Sequence, residues 1–298
     1  MKFSESTFNG FKFVEILTSS IRVVVTTNFG PRIVFWGRPD GENILLWAPG
    51  KYFRKKWELL GGHRVWVTRP LADECEETYL EDNHNCEVQC IDCGWTITAP
   101  ENSYANTRRG ITVKLLGENR LEVDNFLINT GEMLYSGGIW ALTCTVPDKT
   151  TRYGIPLGDD NSWDYCKIVM FRKWDGHTGG YNDDQFVFNE DIMYIKPKGR
   201  ENKRMIQADK GIIAMHDPER NILFAKKVKY NREGNYPQGC NLAVYIGPDN
   251  FMVELETMGS EKTIKPNEYI HNKEIWILES AEIGLDSKEL VELFITDD

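Results

Sequence analysis

Short runs in which apolar and polar residues alternate recur along most of the chain. A period of two residues is typical of β-strands that bury one face, and turns rich in Gly, Pro, Asn and Asp separate the runs. The pattern therefore predicts strands at 11–17, 21–27, 33–36, 43–47, 86–91, 95–98, 111–116, 120–128 and 137–145. Further along the chain it predicts two strands within 212–230 and one each at 240–246, 251–257 and 269–278.

Two segments depart from this pattern. Residues 151–200 are rich in loop-forming sequence, with one apolar run at 165–171. Residues 286–294 predict a single short helix, for which Asp286 is a good N-cap. Many short strands with frequent turns and one helix predict an antiparallel all-β protein.

A predicted hairpin near the C-terminal end carries the first candidate chemistry. A Gly-Pro-Asp-Asn turn joins 240–246 to 251–257. The second of these strands places Glu254 and Glu256 on one face, opposite its apolar residues. Two carboxylates on a strand are most often a solvated face, but neighbouring carboxylates are also used for proton transfer.

A second candidate lies at 61–64, which reads Gly-Gly-His-Arg. Paired glycines allow the backbone to approach another group closely, and arginine supplies fixed donors for hydroxyl or carboxylate oxygens. The alternative is a tight turn followed by an exposed arginine. Arg64 is therefore a candidate binding residue, with His63 beside it.

Composition narrows the classes of partner. The formal net charge of −10 gives no electrostatic basis for nucleic-acid binding. Nine Trp, 12 Tyr and 14 Phe suit both β-strands and the stacking of rings on sugars. No phosphate-binding glycine loop or nucleophile elbow is present, so no cofactor is predicted. Aspartates at 159, 160, 183 and 184 do not form a calcium loop, so no metal is predicted.

Cysteine usage and the N-terminal sequence bear on location. The seven cysteines are scattered, and Cys90-x-x-Cys93 has no second pair at zinc spacing. They are predicted to be free thiols of a reducing compartment. The N-terminal residues lack a signal pattern and no apolar run approaches membrane length, so a cytoplasmic protein without a membrane partner is expected.

The motifs together resemble the galactose mutarotase-like (aldose 1-epimerase) superfamily. The resemblance rests on Leu255-Glu256-Thr257, on the spacing of Ile264, Pro266 and Glu268 before an aromatic-ending strand, and on 28–33. The Gly-Gly-His-Arg and Glu-Leu-Glu-Thr sequences are similar to those of a bacterial branch of that superfamily. The resemblance implies an antiparallel β-supersandwich, as one domain over 1–298.

The resemblance also implies roles for individual residues. Glu256 matches the general base that takes the proton of the anomeric hydroxyl, and Glu254 lies beside it as a second charge. Arg64 matches an arginine of the concave substrate face, flanked by His63. His84, by a looser match in spacing, corresponds to a histidine that stabilises the ring oxygen.

At one position the chain departs from the superfamily. Trp140 stands where the enzymes place their general-acid histidine, and an indole cannot exchange a proton at neutral pH. His177, between glycines, is a candidate for a substitute acid that enters from a loop.

Two classes of function therefore remain open. One is an aldose 1-epimerase-like isomerase acting on a monosaccharide or sugar end, which Glu256 and Arg64 favour. The other is a sugar-binding or sensing protein without turnover, which Trp140 favours. A glycan hydrolase or lyase is a more distant third. A small-molecule carbohydrate is the expected partner, and the oligomeric state stays open.

Overall fold

A computed structural model describes residues 2–54, 57–68, 84–158, 166–172 and 180–295. In these ranges the chain forms two ten-stranded antiparallel sheets, two small two-stranded ribbons and one short α-helix. The prediction of an antiparallel all-β protein with one C-terminal helix is confirmed.

The first sheet contains the strands that carry the candidate site. Its spatial order is β1 (Lys2–Phe8), β2 (Phe11–Leu17), β3 (Arg22–Thr26), β4 (Arg32–Gly37), β7 (His63–Val67), β13 (Ile139–Thr145), β22 (Val253–Met258), β21 (Leu242–Ile246), β18 (Asn202–Ile206) and β15 (Ile168–Met170). The predicted hairpin is present, because β21 pairs antiparallel with β22.

The second sheet covers the inner face of the first. Its order is β16 (Phe186–Phe188), β17 (Ile192–Ile195), β14 (Arg152–Pro156), β19 (Ile212–Asp217), β20 (Ile222–Val228), β24 (Tyr269–Glu279), β11 (Arg120–Asn129), β10 (Thr107–Gly117), β9 (Gly94–Thr98) and β8 (Glu87–Ile91). The ribbons pair β5 (Phe53–Arg54) with β6 (Trp57–Glu58), and β12 (Tyr135–Gly137) with β23 (Lys262–Ile264).

The main hydrophobic core lies between the two sheets. Alternate residues of the strands point inward, such as Val253 and Leu255 from β22 and Ile111 and Val113 from β10. All four are fully buried. This alternation is the physical cause of the sequence pattern, since every second side chain leaves water.

The helix α1 (Ser287–Glu292) covers part of the outer face of the second sheet. Its Leu290, with Phe294 just beyond it, packs against Ile212 and Ala214 of β19. The side chain of Asp286 accepts hydrogen bonds from the amides of Lys288 and Glu289, at 2.9 and 3.2 Å. Asp286 is therefore the N-cap, as predicted.

A polar cluster is buried between the sheets, directly beneath the candidate site. Lys226 Nζ lies 3.1 Å from Glu274 Oε1 and donates to Thr143 Oγ1 at 2.8 Å. His63 Nδ1 lies 2.8 Å from Thr143 Oγ1, and His63 Nε2 lies 2.8 Å from Asn125 Oδ1. Because Thr143 accepts from Lys226, its own hydroxyl hydrogen is left for His63 Nδ1, and Nε2–H donates to Asn125.

One sequence prediction of secondary structure was wrong. Residues 43–47 do not form a strand, because only Leu45 and Trp47 make isolated bridges. The described part of 151–200 is rich in loops, as predicted, and holds the short strands β14, β15, β16 and β17 between them. These strands are three to five residues long, too short to show a clear alternation.

The paired glycines before β7 serve chain packing. Gly61 and Gly62 have φ of +80° and +72°, a left-handed conformation that disfavours residues with a Cβ. A Cβ on Gly61 would lie 2.2 Å from the carbonyl oxygen of Leu46, and one on Gly62 2.4 Å from that of Ile33. The close approach predicted for this motif is made to neighbouring backbone.

Candidate functional site

The outer face of the first sheet gathers the chemistry-bearing side chains. Paired residues of antiparallel strands share a face, and Leu142 of β13 pairs with Arg64 on one side and Glu256 on the other. Trp140 pairs with Trp66 of β7 in the adjacent row. The structure thus brings Arg64, Trp140, Glu254 and Glu256, four of the predicted site residues, onto one surface.

Glu256 lies at the centre of this surface and is fully buried. Its Oε2 accepts a hydrogen bond from Trp140 Nε1 at 2.7 Å. Lys203 Nζ of β18 lies 3.0 Å from Oε1 and 2.9 Å from Oε2. The same ammonium group is 4.8 Å from the centre of the Trp140 ring, a cation–π distance. Both carboxylate oxygens are therefore held by donors.

Glu254 is the second carboxylate and has a different environment. Burial and repulsion from the charge of Glu256 raise the pKa of Glu254 to about 7, although Lys203 and Arg64 act against the shift. Its Oε1 lies 3.4 Å from Cys144 Sγ. A carboxyl group with a pKa near neutrality can exchange a proton at physiological pH.

A cationic and aromatic group borders the two carboxylates. The Arg64 guanidinium lies 4.7 Å from the centre of the Trp66 ring, and that of Arg109 lies 5.8 Å from it. Arg109 belongs to β10 and donates to the carbonyl of Val65 at 3.2 Å. Burial, together with repulsion from Arg64, lowers the pKa of Arg109 to about 10.

Sequence reasoning missed several residues of this surface. Lys203, Trp66, Cys144 and Tyr245 all reach it through strand alternation. Lys203 and Tyr245 pair with each other across β18 and β21. Burial and a hydrogen bond to Glu201 raise the pKa of Tyr245. The alternation around Tyr245 was visible in the sequence, but β18 had not been predicted, so Lys203 had no strand to belong to.

The histidines are placed elsewhere. His63 points between the sheets and is fully buried, because it is adjacent to Arg64 on a strand and so faces the other way. The structure therefore does not bring His63 together with Arg64. His84 is exposed and precedes Cys86, whose amide donates a hydrogen bond to the carbonyl of Thr27, just after β3. His177 lies outside the described residues.

Two further properties concern ligands and membranes. Among the residues that the structure describes, no group of three or more His, Cys, Asp or Glu side chains is arranged to hold a metal ion. No helix in the described ranges is long and apolar enough to cross a membrane.

The fold is similar to solved structures of galactose mutarotase-like proteins. One from Lactobacillus casei ATCC 334 is 11% identical, with 90% of this chain and 100% of that chain covered and a TM-score of 0.62. One from Clostridium acetobutylicum is 12% identical, covers 94% and 98%, and has a TM-score of 0.58. A protein of Escherichia coli K12 provisionally named an aldose 1-epimerase is 10% identical, covers 91% and 100%, and has a TM-score of 0.62.

These likenesses define the fold class of the chain. It has the β-sandwich fold of the galactose mutarotase-like proteins, as the sequence motifs implied. No family model matches the chain, and no curated protein matches its sequence.

Proposed function

We propose that the outer face of the first sheet binds a monosaccharide or sugar end and catalyses aldose 1-epimerisation. The observation that carries this proposal is the pair of carboxylates on β22, in which Glu256 is held by two donors while the pKa of Glu254 is raised to about 7. Carboxylates whose environments differ in this way divide the roles of base and acid. The fold of the neighbouring structures supports a sugar as the substrate.

In the proposed reaction, Glu256 is the general base and Glu254 the general acid. Glu256 takes the proton of the anomeric O1 hydroxyl, and the O1 electron pair forms the C1=O1 double bond. The C1–O5 bond breaks, and its electron pair takes the proton that Glu254 donates. Rotation about C1–C2 and the reverse steps then close the ring with the other configuration at C1.

The remaining side chains of the face suit a sugar. The Trp66 and Trp140 rings offer apolar surfaces for the C–H faces of a pyranose, and Arg64 and Lys203 offer donors for its hydroxyl oxygens. Among the described residues none of the histidines lies on this face, which is why Glu254 is assigned the acid role. His84 and His177 remain the alternative acids.

A second candidate function is sugar binding without turnover. Glu256 is fully buried and both of its oxygens are occupied by Trp140 and Lys203. A carboxylate in this state holds the shape of a binding surface but is a weaker acceptor for a substrate proton.

Polarimetry on freshly dissolved α-D-glucose and α-D-galactose separates these functions. For the epimerase, Glu256→Gln and Glu254→Gln each lower kcat/KM on the order of 10²-fold or more, while the exposed Glu5→Gln leaves it unchanged. The rate also falls as the pH rises above about 7, because Glu254 loses its proton. Sugar binding, followed by the intrinsic tryptophan fluorescence of the protein, survives in both site variants.

Three outcomes of the same assay contradict the assignments. If wild type interconverts anomers no faster than buffer but still binds sugar, the non-catalytic function is correct. Fast turnover that is unaffected by Glu256→Gln refutes the base. Turnover that is abolished by His84→Ala or His177→Ala, but not by Glu254→Gln, assigns the acid to that histidine.

A further inference from the structure

A second cleft, lined by none of the residues assigned to the Glu254–Glu256 surface, lies beside one edge of β24. The ladder between β20 and β24 ends at Val228 and Glu274, while β24 continues to pair with β11 on its other side as far as Tyr269. The chain that follows β20 and the segment that links β22 to β23 enclose a cleft of about 690 Å³ at this point. The charged residues and the histidine that line it are Asp124, Lys229, Arg232, Lys262, His271 and Lys273.

The charge of this cleft is opposite to that of the protein. Among the described residues that line it, four are cationic and one is a carboxylate, whereas the whole chain has a net charge of −10. Lys273 Nζ is 3.8 Å from Glu122 Oε1, and more than half of the Lys273 side chain is exposed, so this pair neutralises little. A concave group of cations in an acidic protein concentrates anions locally.

Asp124, the carboxylate among the described lining residues, is hydrogen-bonded to a histidine. Asp124 Oδ2 and Oδ1 lie 3.0 and 3.2 Å from His271 Nδ1, so Nδ1–H donates to Asp124 and the ring is fixed in orientation. The Tyr269 ring stacks on His271, with centroids 5.7 Å apart and planes 9° apart.

One wall of the cleft is held in place by hydrogen bonds. Tyr230 and Tyr236 pack with ring centroids 5.4 Å apart. Tyr230 Oη accepts from Gln207 Nε2 at 2.9 Å, and Tyr236 Oη accepts from the amide of Asn231 at 2.8 Å. The cations therefore surround a wall that is ordered before any ligand binds, which reduces the entropy lost on binding.

We infer that this cleft is a binding site for a phosphate-type oxyanion, either free or as the phosphoryl group of a small metabolite. Lysine and arginine donate charge-assisted hydrogen bonds to such oxygens, and the carboxylate among the described lining residues, Asp124, is hydrogen-bonded to His271. The site is independent of the reaction proposed for Glu254 and Glu256.

The test is calorimetric titration with inorganic phosphate and, separately, with glycerol 3-phosphate, at constant ionic strength. Saturable binding of either probe is expected in the wild type, and Lys229→Met/Lys262→Met weakens it on the order of tenfold or more, because two charge-assisted hydrogen bonds are lost. The matched control is Lys265→Met, an exposed lysine outside the cleft, which leaves binding unchanged. Stronger binding of glycerol 3-phosphate than of phosphate identifies a phosphorylated metabolite as the ligand, and the reverse identifies the free ion.

Three results overturn the inference. The first is the absence of saturable binding of both probes to the folded wild type. The second is equal affinity in the wild type, the cleft double variant and Lys265→Met. The third is loss of binding in Lys203→Met with full retention in Lys229→Met/Lys262→Met, which places the anion on the outer face of the first sheet.

Discussion

The pKa of His63 is lowered and the pKa of Glu254 is raised by folding. We expect that replacing either residue changes how the stability of the protein depends on pH, in opposite directions for the two. Burial lowers the pKa of His63 to about 4; attraction to Glu274 opposes this shift, and repulsion from Lys226 adds to it. Burial and repulsion from Glu256 raise the pKa of Glu254 to about 7. Both groups titrate with different affinities in the folded and unfolded chain, so both couple folding to pH.

The two contributions have opposite signs. The pKa of His63 is 6.5 in the unfolded chain and about 4 in the folded protein. Between these two pH values the unfolded chain binds a proton at His63 and the folded protein does not. The stability from His63 is therefore present above pH 6.5 and is lost as the pH falls. Between an ordinary value of 4.5 and about 7, the folded protein holds a proton at Glu254 that the unfolded chain releases. The stability from Glu254 is present below pH 4.5 and is lost as the pH rises.

The magnitudes are similar. Each shift spans about 2.5 pH units, from 6.5 to 4 and from 4.5 to 7, and one unit corresponds to about 1.4 kcal/mol. Each group therefore changes the free energy of unfolding by on the order of 3 kcal/mol across its range. Between pH 4.5 and 6.5 the two changes offset one another in the wild type.

Urea unfolding followed by tryptophan fluorescence, at several pH values between about 4.5 and 7, tests this reasoning. Relative to the wild type, His63→Gln becomes more stable as the pH falls, and Glu254→Gln becomes less stable. A constant loss of stability from repacking in either variant does not affect this comparison, because only the change with pH is read. The exposed Glu5→Gln is the control, and its curve runs parallel to that of the wild type.

Parallel curves for all four proteins would refute the reasoning for both groups. If the stability of one variant relative to the wild type changes with pH in the opposite direction, the pKa shift of that group alone is refuted. If His63→Gln does not fold, the change with pH in the relative stability of Glu254→Gln still tests the pKa shift of Glu254.

Three further predictions concern a buried ion pair, the helix N-cap and the cysteines. Lys226→Met leaves Glu274 charged and buried without its counter-ion and lowers the free energy of unfolding by about 3–5 kcal/mol. The double variant Lys226→Met/Glu274→Gln loses clearly less stability, because no unpaired charge stays buried. Equal losses for the two variants in urea unfolding would contradict this. Asp286→Ala removes the helix N-cap and costs about 1 kcal/mol by the same measurement, whereas an unchanged midpoint would show that the cap adds no stability. A thiol reagent reacts with seven cysteines in denatured protein, while Cys144 and Cys240 stay unreactive in the native state because they are buried; a count of five or fewer without reductant would mean that a disulfide is present.

Most of the architecture could be predicted because strand alternation is a local property. The runs at 11–17 and 269–278 coincide with strands to within a residue, since each buries alternate side chains against the opposite sheet. The same rule placed Glu254 and Glu256 together on one face. Where strands are three or four residues long, as in β15 and β17, too few positions alternate for the period to be recognised.

The surroundings of those residues depended on tertiary structure. Alternation alone implies that adjacent residues of a strand face opposite ways. It does not show which of the two faces is buried in the core. The second sheet decides this, because it covers His63 and leaves Arg64 on the outer face. Lys203 lies 53 residues from Glu256 along the chain, and sequence gives no sign that they meet. Glu256 has donors from Trp140 and Lys203 because β13, β22, β21 and β18 lie in that order in the first sheet. The difference between the two carboxylates follows from this arrangement. The chain thus determined by itself which residues share a strand face, while the pairing of strands determined which charges meet, because long-range contacts have no local pattern.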